Sequence, residues 1–216
     1  MTNTDATGTN TGTIPALRVA GPDDIDTVAD IVTEAFDHLE VIRFLVPDAH
    51  RRRVVVRDWY RLYIAHAISG AGQVVMTDDN TAAAVWFDRT GQPSEPDGYA
   101  THLAELAGDD LPQFQHLDAL MDAHHPSDAH WHLLFLAVRP SRWSHGLGSQ
   151  LMDYTHTRLD AEDIPAYLEA TGEQNRALYQ RHGYTNMNPP TIPVTGDTVL
   201  YRMWRPAGQP EPDSTR

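Results

Sequence analysis

Two glycines in residues 142–149 carry the clearest chemical signal of the chain. The segment reads Arg-Trp-Ser-His-Gly-Leu-Gly-Ser, so Gly146 and Gly148 lie between an apolar run and a stretch of helical periodicity. The first backbone N–H groups of a helix have no partner within the helix and lie at the positive end of its dipole, and glycines let an anion approach the backbone. The segment therefore predicts a pyrophosphate-binding loop, although two glycines taken alone are also compatible with a tight turn.

Two nucleotide-binding motifs do not fit this loop. A dinucleotide fingerprint requires a third glycine three residues after the second, where this chain has Leu151. A nucleotide P-loop requires Gly-Lys followed by Ser or Thr, and the chain contains no such sequence. The loop must therefore bind phosphate in another structural context, or serve only as a turn.

The elements around the loop are those that would position it. Residues 131–138 form a nearly continuous apolar run, typical of a central strand that is buried on both faces, and Pro140 ends it. Residues 149–159 show the spacing of a helix. Further along the chain, the pattern predicts a strand over 166–170, a helix over 174–182 and a last strand over 199–204.

The first half of the chain predicts two helices, a hairpin and two more helices. Residues 17–20 alternate like a short strand, and a helix follows from Pro22. A second helix is predicted over 50–68, with Val54, Val55, Trp59, Leu62 and Tyr63 on one side. Strands over 73–77 and 81–87 flank a tight turn, and the helices that follow are predicted over 99–107 and 111–124.

This order of elements predicts an α/β fold with a mixed sheet, because strands come first and then alternate with helices. We expect one domain over residues 14–206. Residues 1–13 are rich in Thr, Asn and Gly, and residues 207–216 are polar with several prolines, so both ends are predicted to be disordered tails.

Composition excludes several classes of function. The 216 residues include no cysteine, so neither a thiolate metal site nor an acyl-cysteine intermediate is available. A formal charge of −14 argues against nucleic acid as a partner and favours a cationic substrate. No run approaches the roughly 20 apolar residues that span a bilayer, so we expect a cytoplasmic protein without a membrane partner.

Several segments together resemble a known family. The chain has Val138-Arg139-Pro140, then the glycine loop, then Tyr167-Leu168-Glu169-Ala170, and then Asn175 to Tyr184, which reads Asn-Arg-Ala-Leu-Tyr-Gln-Arg-His-Gly-Tyr. In order and spacing these segments resemble the acetyl-coenzyme A-binding core of the GNAT superfamily of N-acetyltransferases, most closely puromycin N-acetyltransferase and its actinobacterial relatives. The resemblance implies a central, mostly antiparallel mixed sheet that is splayed between its fourth and fifth strands and flanked by helices.

The resemblance also implies residues that bind acetyl-coenzyme A. The backbone at the end of the central strand would bind the pantetheine arm, the glycine loop the pyrophosphate, and Asn175 the pantetheine end. By position these residues are Leu136, Ala137, Val138, Trp143, Ser144, His145, Gly146, Leu147, Gly148, Ser149 and Asn175. Trp143 stands where the family usually has Gln or Arg, and Ser144 where it usually has Gly. Because phosphates are bound mainly by backbone N–H groups, we expect this departure to weaken coenzyme binding but not to abolish it.

Two residues are candidates for acid–base catalysis. Tyr179 lies four residues after Asn175, on the same face of a helix, and matches the family tyrosine that protonates the coenzyme thiolate. Glu169 is the candidate general base, acting directly or through a water, with a pKa raised by partial burial. The alternatives are core packing for Tyr179 and a structural ion pair for Glu169. Glu34, Asp37, Tyr60 and Tyr63 are further candidates to line the amine pocket.

Four histidines lie close together in sequence: His124, His125, His130 and His132. They have no cysteine and no carboxylate triad beside them, so they are interpreted as solvated or core residues, and no metal site is predicted.

The function predicted from the sequence is acetyl transfer from acetyl-coenzyme A to the primary amine of a small molecule, such as an aminonucleoside or other antibiotic. Two alternatives remain at this level. One is an acyl-coenzyme A sensor without turnover, and the other is a protein or peptide N-acetyltransferase. The protein is expected to be a monomer or a homodimer.

Overall fold

The computed structural model describes residues 15–92 and 94–208. The predicted N-terminal tail, and residues 209–216 of the predicted C-terminal tail, lie outside the described residues. The described chain forms a seven-stranded sheet in the order β1-β2-β3-β4-β5-β7-β6. The strands are Leu17–Val19 (β1), Gly72–Thr77 (β2), Ala82–Asp88 (β3), Trp131–Val138 (β4), Ala166–Ala170 (β5), Thr185–Thr195 (β6) and Thr198–Arg205 (β7).

Seven α-helices flank this sheet in the described chain. They are Ile25–Phe36 (α1), Glu40–Leu45 (α2), Ala49–His66 (α3), Tyr99–Ala107 (α4), Leu111–His124 (α5), Leu147–Ala161 (α6) and Glu173–Arg181 (α7). None of the helices in the part of the chain that the structure describes has the length and apolar character needed to cross a membrane.

The predicted elements are confirmed within one or two residues at most of their ends, but two elements were missed. Helix α2 is only six residues long. Strand β6 contains Pro189, Pro190 and Pro193, which indicate a loop in the sequence. Proline cannot donate a hydrogen bond to a strand ladder and is tolerated at a sheet edge, and β6 is an edge strand with irregular register against β7.

The buried face of α3 differs from the apolar side that was predicted for this helix. Val54 is 63% exposed, whereas Val55, Trp59, Tyr60 and Ile64 are buried. The helix packs against both α1 and α4, so its buried stripe follows these neighbours and excludes Val54.

Residues of β3 show how the sheet is buried on both faces. Ala83, Val85 and Phe87 belong to the core beneath α1, α3 and α5. Ala84 and Trp86 belong to the core beneath α6. Because strand side chains alternate between faces, a strand that is covered on both sides reads as a continuous apolar run.

The sheet opens between β4 and β5, as predicted. These two strands pair in parallel only over residues 131–133 and 166–168. Directly after this stretch the ladder between β4 and β3 shifts register, so that Leu134 is an extra residue opposite Val85 and Trp86. A β-bulge bends its strand, and here it coincides with the point at which β4 leaves β5. Beyond Leu133, the backbone groups of β4 that face β5 have no strand partner among residues 15–92 and 94–208.

Candidate active site

The glycine loop lines a cleft of about 560 Å³, which we call the loop cleft. Of the sequence-predicted residues, the following line it: Leu136, Val138, Trp143, Ser144, His145, Gly146, Leu147, Gly148, Ser149, Asn175 and Tyr179. Ala137 is fully buried in the core on the other face of the sheet, so its side chain does not reach the cleft. The cleft thus runs from the open part of β4 to the first turn of α6.

The loop is built so that α6 starts at the cleft. Ser144 and Gly146 both adopt left-handed backbone conformations, with φ of 64° and 79°, and α6 begins at Leu147. The first intrahelical bond of α6 is donated by Gln150 to the carbonyl of Gly146. The N–H groups of residues 147–149 therefore remain available to an anion in the cleft.

Trp143 forms part of the mouth of the cleft. Its side chain is 48% exposed, and its indole Nε1 donates a 2.7 Å hydrogen bond to the carbonyl of Val138. His38, in the turn after α1, packs edge-on against the indole with 5.4 Å between ring centroids. The indole thus links the end of β4 to the turn between α1 and α2.

His182, which was not predicted from the sequence as a site residue, contacts the side chain of Ser149. His182 Nε2 lies 2.9 Å from Ser149 Oγ, and His182 Nδ1 lies 3.0 Å from a carboxylate oxygen of Asp153. Burial lowers the pKa of His182, which favours the neutral ring. The chain of contacts fixes the Ser149 hydroxyl at the start of α6.

Tyr179 and Asn175 lie on one face of α7, one turn apart, as their spacing predicts. Tyr179 is 8% exposed, and burial raises the pKa of its hydroxyl above the ordinary value. The phenol is therefore neutral and able to donate a proton. The Asn175 side-chain amide donates a 3.0 Å hydrogen bond to Thr171 Oγ1 in the turn before the helix.

A second cavity of about 220 Å³ lies between α3, α4, α5 and the sheet, and we call it the aromatic cavity. Seven aromatic rings contribute to its walls: Phe36, Trp59, Tyr60, Tyr63, Phe87, Tyr99 and Phe135. Its described lining contains four carboxylates and one guanidinium: Glu95, Asp118, Asp122, Glu169 and Arg89.

The two cavities meet at the open part of β4. Phe36 and Leu39 line both of them. Along β4, Leu134 and Phe135 line the aromatic cavity, while Leu136 and Val138 line the loop cleft. The two cavities are therefore neighbours along the open part of β4.

Glu169 forms a buried pair with His132 at the wall of the aromatic cavity. Glu169 Oε2 lies 2.8 Å from His132 Nε2, and the two side chains are 5% and 4% exposed. Glu169 Oε1 and His132 Nδ1 have no hydrogen-bond partner within residues 15–92 and 94–208. The expected rise in the pKa of Glu169 is wrong. Burial raises this pKa, but His132, Tyr167 and His125 together lower it by more, so the net pKa lies below the ordinary value.

Of the four other predicted pocket residues, two line the aromatic cavity and two line neither cavity. Tyr60 and Tyr63 line the aromatic cavity. Glu34 pairs with Arg139 instead. Asp37 does not line either cavity, but its charge adds to burial in raising the pKa of Tyr60.

Three of the four clustered histidines pack together at the edge of the aromatic cavity. His130 Nε2 lies 3.1 Å from His125 Nε2, and the rings of His125 and His132 are 5.0 Å apart. Burial lowers the pKa of His125 to about 3, so this ring is neutral. Within the described residues, the group whose candidate metal-binding atoms lie within 4.8 Å of one another is a different one, formed by Asp153, His156 and His182.

Comparison with known proteins agrees with this architecture. Residues 99–186 match the family model described as the acetyltransferase (GNAT) domain. The match runs from the start of α4 into β6 and includes β4, the glycine loop, β5 and α7. The sheet, its opening between β4 and β5, and this match define the class: the chain has the GNAT fold.

Solved structures share the fold across most of the chain. A histone acetyltransferase HPA2 and related acetyltransferase from Corynebacterium glutamicum superposes with a TM-score of 0.68 and 24% identity, over 91% of this chain and 98% of that chain. A mosquito arylalkylamine N-acetyltransferase like 5b gives a TM-score of 0.62 and 17% identity, over 89% and 100%. The PaiA N-acetyltransferase from Thermoplasma acidophilum, in complex with coenzyme A, gives 0.52 and 10%, over 89% and 99%.

Proposed function

We propose that this protein is an N-acetyltransferase that moves an acetyl group directly from acetyl-coenzyme A to the primary amine of a small molecule. The observation that supports this most is the junction of two different cavities at the β4–β5 opening. The loop cleft is lined by the glycine loop, whose free N–H groups suit phosphate. The aromatic cavity is lined by Glu169, a buried carboxylate that can accept a proton. Direct transfer between two bound substrates requires such a junction.

The loop cleft fits a coenzyme in its donor set. The free N–H groups at the start of α6 suit a pyrophosphate, and Arg142 and Arg181 line the same cleft. Arg142 Nε is buried without a partner in the described chain. The backbone groups of β4 beyond Leu133 suit the amide groups of a pantetheine arm. Coenzyme binding through the backbone of residues 136–138 and through residues 143–149, together with Asn175 and Tyr179, thus remains our assignment.

Glu169 and His132 would take the proton of the incoming ammonium group, directly or through a water. Because the pKa of Glu169 is lowered, the carboxylate is ionised at neutral pH and is available to accept a proton. The deprotonated nitrogen then attacks the thioester carbonyl carbon. The free N–H groups at the open part of β4 are available to the oxyanion.

Tyr179 would complete the reaction on the side of the leaving group. As the C–S bond breaks, the phenol gives its proton to the thiolate sulfur and is later reprotonated from solvent. A neutral, buried phenol in the loop cleft suits this role. Loss of one proton donor typically costs about 10²- to 10⁴-fold in rate.

The size of the aromatic cavity supports a small acceptor over a protein segment. At about 220 Å³ the cavity holds a compact molecule. An aminonucleoside or other antibiotic is our narrower hypothesis for this acceptor, in a cytoplasmic setting. A coenzyme sensor without turnover is the second candidate, because Trp143 occupies the mouth of the loop cleft.

The test is release of free thiol from acetyl-coenzyme A by the purified protein across a panel of amines that includes puromycin. Tyr179→Phe should reduce kcat by about 10²- to 10⁴-fold. Tyr154→Phe is the matched control, since Tyr154 is 43% exposed on α6 and should leave the rate unchanged. Tight coenzyme binding without turnover on any amine would favour the sensor, and absence of coenzyme binding would refute the proposal.

A further inference from the structure

Asp118, on α5, is an acidic group in the aromatic cavity that the acetyl-transfer chemistry leaves unused. Tyr99 Oη donates a 3.0 Å hydrogen bond to Asp118 Oδ2. Tyr99 Oη in turn accepts hydrogen bonds from Tyr63 Oη at 2.9 Å and from Trp59 Nε1 at 3.1 Å. The three aromatic groups thus hold one carboxylate oxygen in a fixed orientation at the wall of a cavity.

Among the described residues, no cation offsets the charge of this carboxylate. Burial and the charges of Asp122 and Glu95 raise the pKa of Asp118 to about 6, although the hydrogen bond from Tyr99 lowers it in part. A half-buried carboxylate beside aromatic faces is the environment in which proteins bind ammonium groups, through an ion pair and cation–π contacts. Glu95 and Asp122 are exposed and add negative charge around Asp118, which attracts cations toward the cavity.

Asp118 and the Glu169–His132 pair act at different places in the cavity. Asp118 lies on the helical wall of the cavity, where it is hydrogen-bonded to Tyr99 of α4, whereas Glu169 lies on β5 and is paired with His132 of β4. The reacting nitrogen belongs at the Glu169 end, where Glu169 Oε1 and His132 Nδ1 have no hydrogen-bond partner among the described residues. A cation at Asp118 is therefore a second one.

We propose that the acceptor carries two basic nitrogens, and that Asp118 binds the remote ammonium group while the other nitrogen is acetylated. This rests on the proposed function for the site of the reacting nitrogen. The aromatic walls between the two ends suit the apolar stem of a diamine. The substrate class is then a small diamine, or an amine with a second ammonium group.

The test compares amines that differ only in the remote group. Cadaverine and hexylamine form one such pair and putrescine and pentylamine another, because a methyl group replaces one amino group in each monoamine. Binding to the full chain is measured by calorimetry, so that the result does not depend on turnover, and thiol release is measured in parallel. The first variant is Asp118→Asn, which keeps the shape of the side chain and can still accept the hydrogen bond from Tyr99. The second is Asp109→Asn, the same substitution at an exposed residue in the turn before α5.

We expect at least one diamine to bind the wild type about 10- to 100-fold more tightly than its monoamine, as for a hydrogen bond to a charged group. Asp118→Asn should remove this preference, and Asp109→Asn should retain it. Equal binding within both pairs, no detectable binding of either diamine, or a preference that persists in Asp118→Asn would overturn the proposal. A preference without thiol release would refute only the transferase function, and thiol release without a preference would refute only the second cation site.

Discussion

The Glu169–His132 pair allows the sharpest test of the proposed chemistry. An alkyl ammonium group similar to a lysine side chain titrates near pKa about 10.4. At pH about 7.4 only about one amine in 10³ is therefore neutral. If the pair serves to take this proton, Glu169→Gln should lower kcat/KM by up to about 10³-fold at that pH, or about 4 kcal/mol at roughly 1.4 kcal/mol per decade.

The loss should depend on pH in a defined direction. The pKa of Glu169 is lowered below its ordinary value, so the carboxylate is lost only under acid conditions and does not limit the wild-type rate near neutrality. In Glu169→Gln the rate should instead rise about tenfold per pH unit, as solvent deprotonates the amine, and should approach the wild-type rate near pH about 10.

A second variant tests whether the two residues act as one unit. His132→Gln keeps an N–H donor toward Glu169 but cannot take up a proton. Groups that act as a unit are not additive, so the double variant should lose little more than either single variant. Initial rates of thiol release at saturating coenzyme, between pH about 6.5 and 10, measure all three. A loss of rate that stays constant up to high pH, or losses that multiply in the double variant, would refute the proton-acceptor role of the pair. Thermal unfolding midpoints of the variants show whether either substitution damages the fold.

The remaining predictions concern one residue of each cavity: Asp118 in the aromatic cavity and Trp143 in the loop cleft. The pKa of Asp118 is raised to about 6, so ionisation of Asp118 destabilises the folded state. This penalty is absent below pH about 4, grows between pH about 4 and about 6, and is complete above that range. Asp118→Asn should therefore raise the free energy of unfolding at pH about 8 by roughly 1–2 kcal/mol, a range that allows for solvent screening at a partly exposed group. At pH about 4 the substitution should change this free energy little. Chemical unfolding at both pH values measures the difference, and equal effects at the two would contradict the prediction. Trp143→Ala removes the hydrogen bond to the Val138 carbonyl and should raise the KM for acetyl-coenzyme A about 2- to 10-fold with kcat unchanged, whereas a lower KM would mean that the indole obstructs the cleft.

Local sequence patterns predicted most of the fold. The continuous apolar run predicted the central strand β4, and the helix over 111–124 has the predicted bounds. These features depend on side-chain periodicity and on backbone preferences within a few residues. Strand β6 was missed for the same reason, because its three prolines suppress the strand signal and only the sheet edge makes them tolerable.

Only the tertiary structure decided the environment of Glu169. A strand residue near a predicted opening suggested partial burial and a raised pKa, whereas the fold buries the carboxylate fully and places His132 against it. The two residues lie on neighbouring strands, 37 positions apart. Sequence spacing carries no information about such a contact, and the sign of a pKa shift depends on which neighbour outweighs burial.

The same division holds for the site as a whole. The sequence by itself determined the glycine loop, the helix that starts from it and the Asn175–Tyr179 face of α7, because each is set by residues within a turn or two of one another. The tertiary structure decided that Trp59, Tyr63, Tyr99 and Asp118, from three helices, form one hydrogen-bonded wall. It also decided that this wall lines the same cavity as Glu169, since a cavity is created by the packing of distant elements and is not encoded in the period of any one of them.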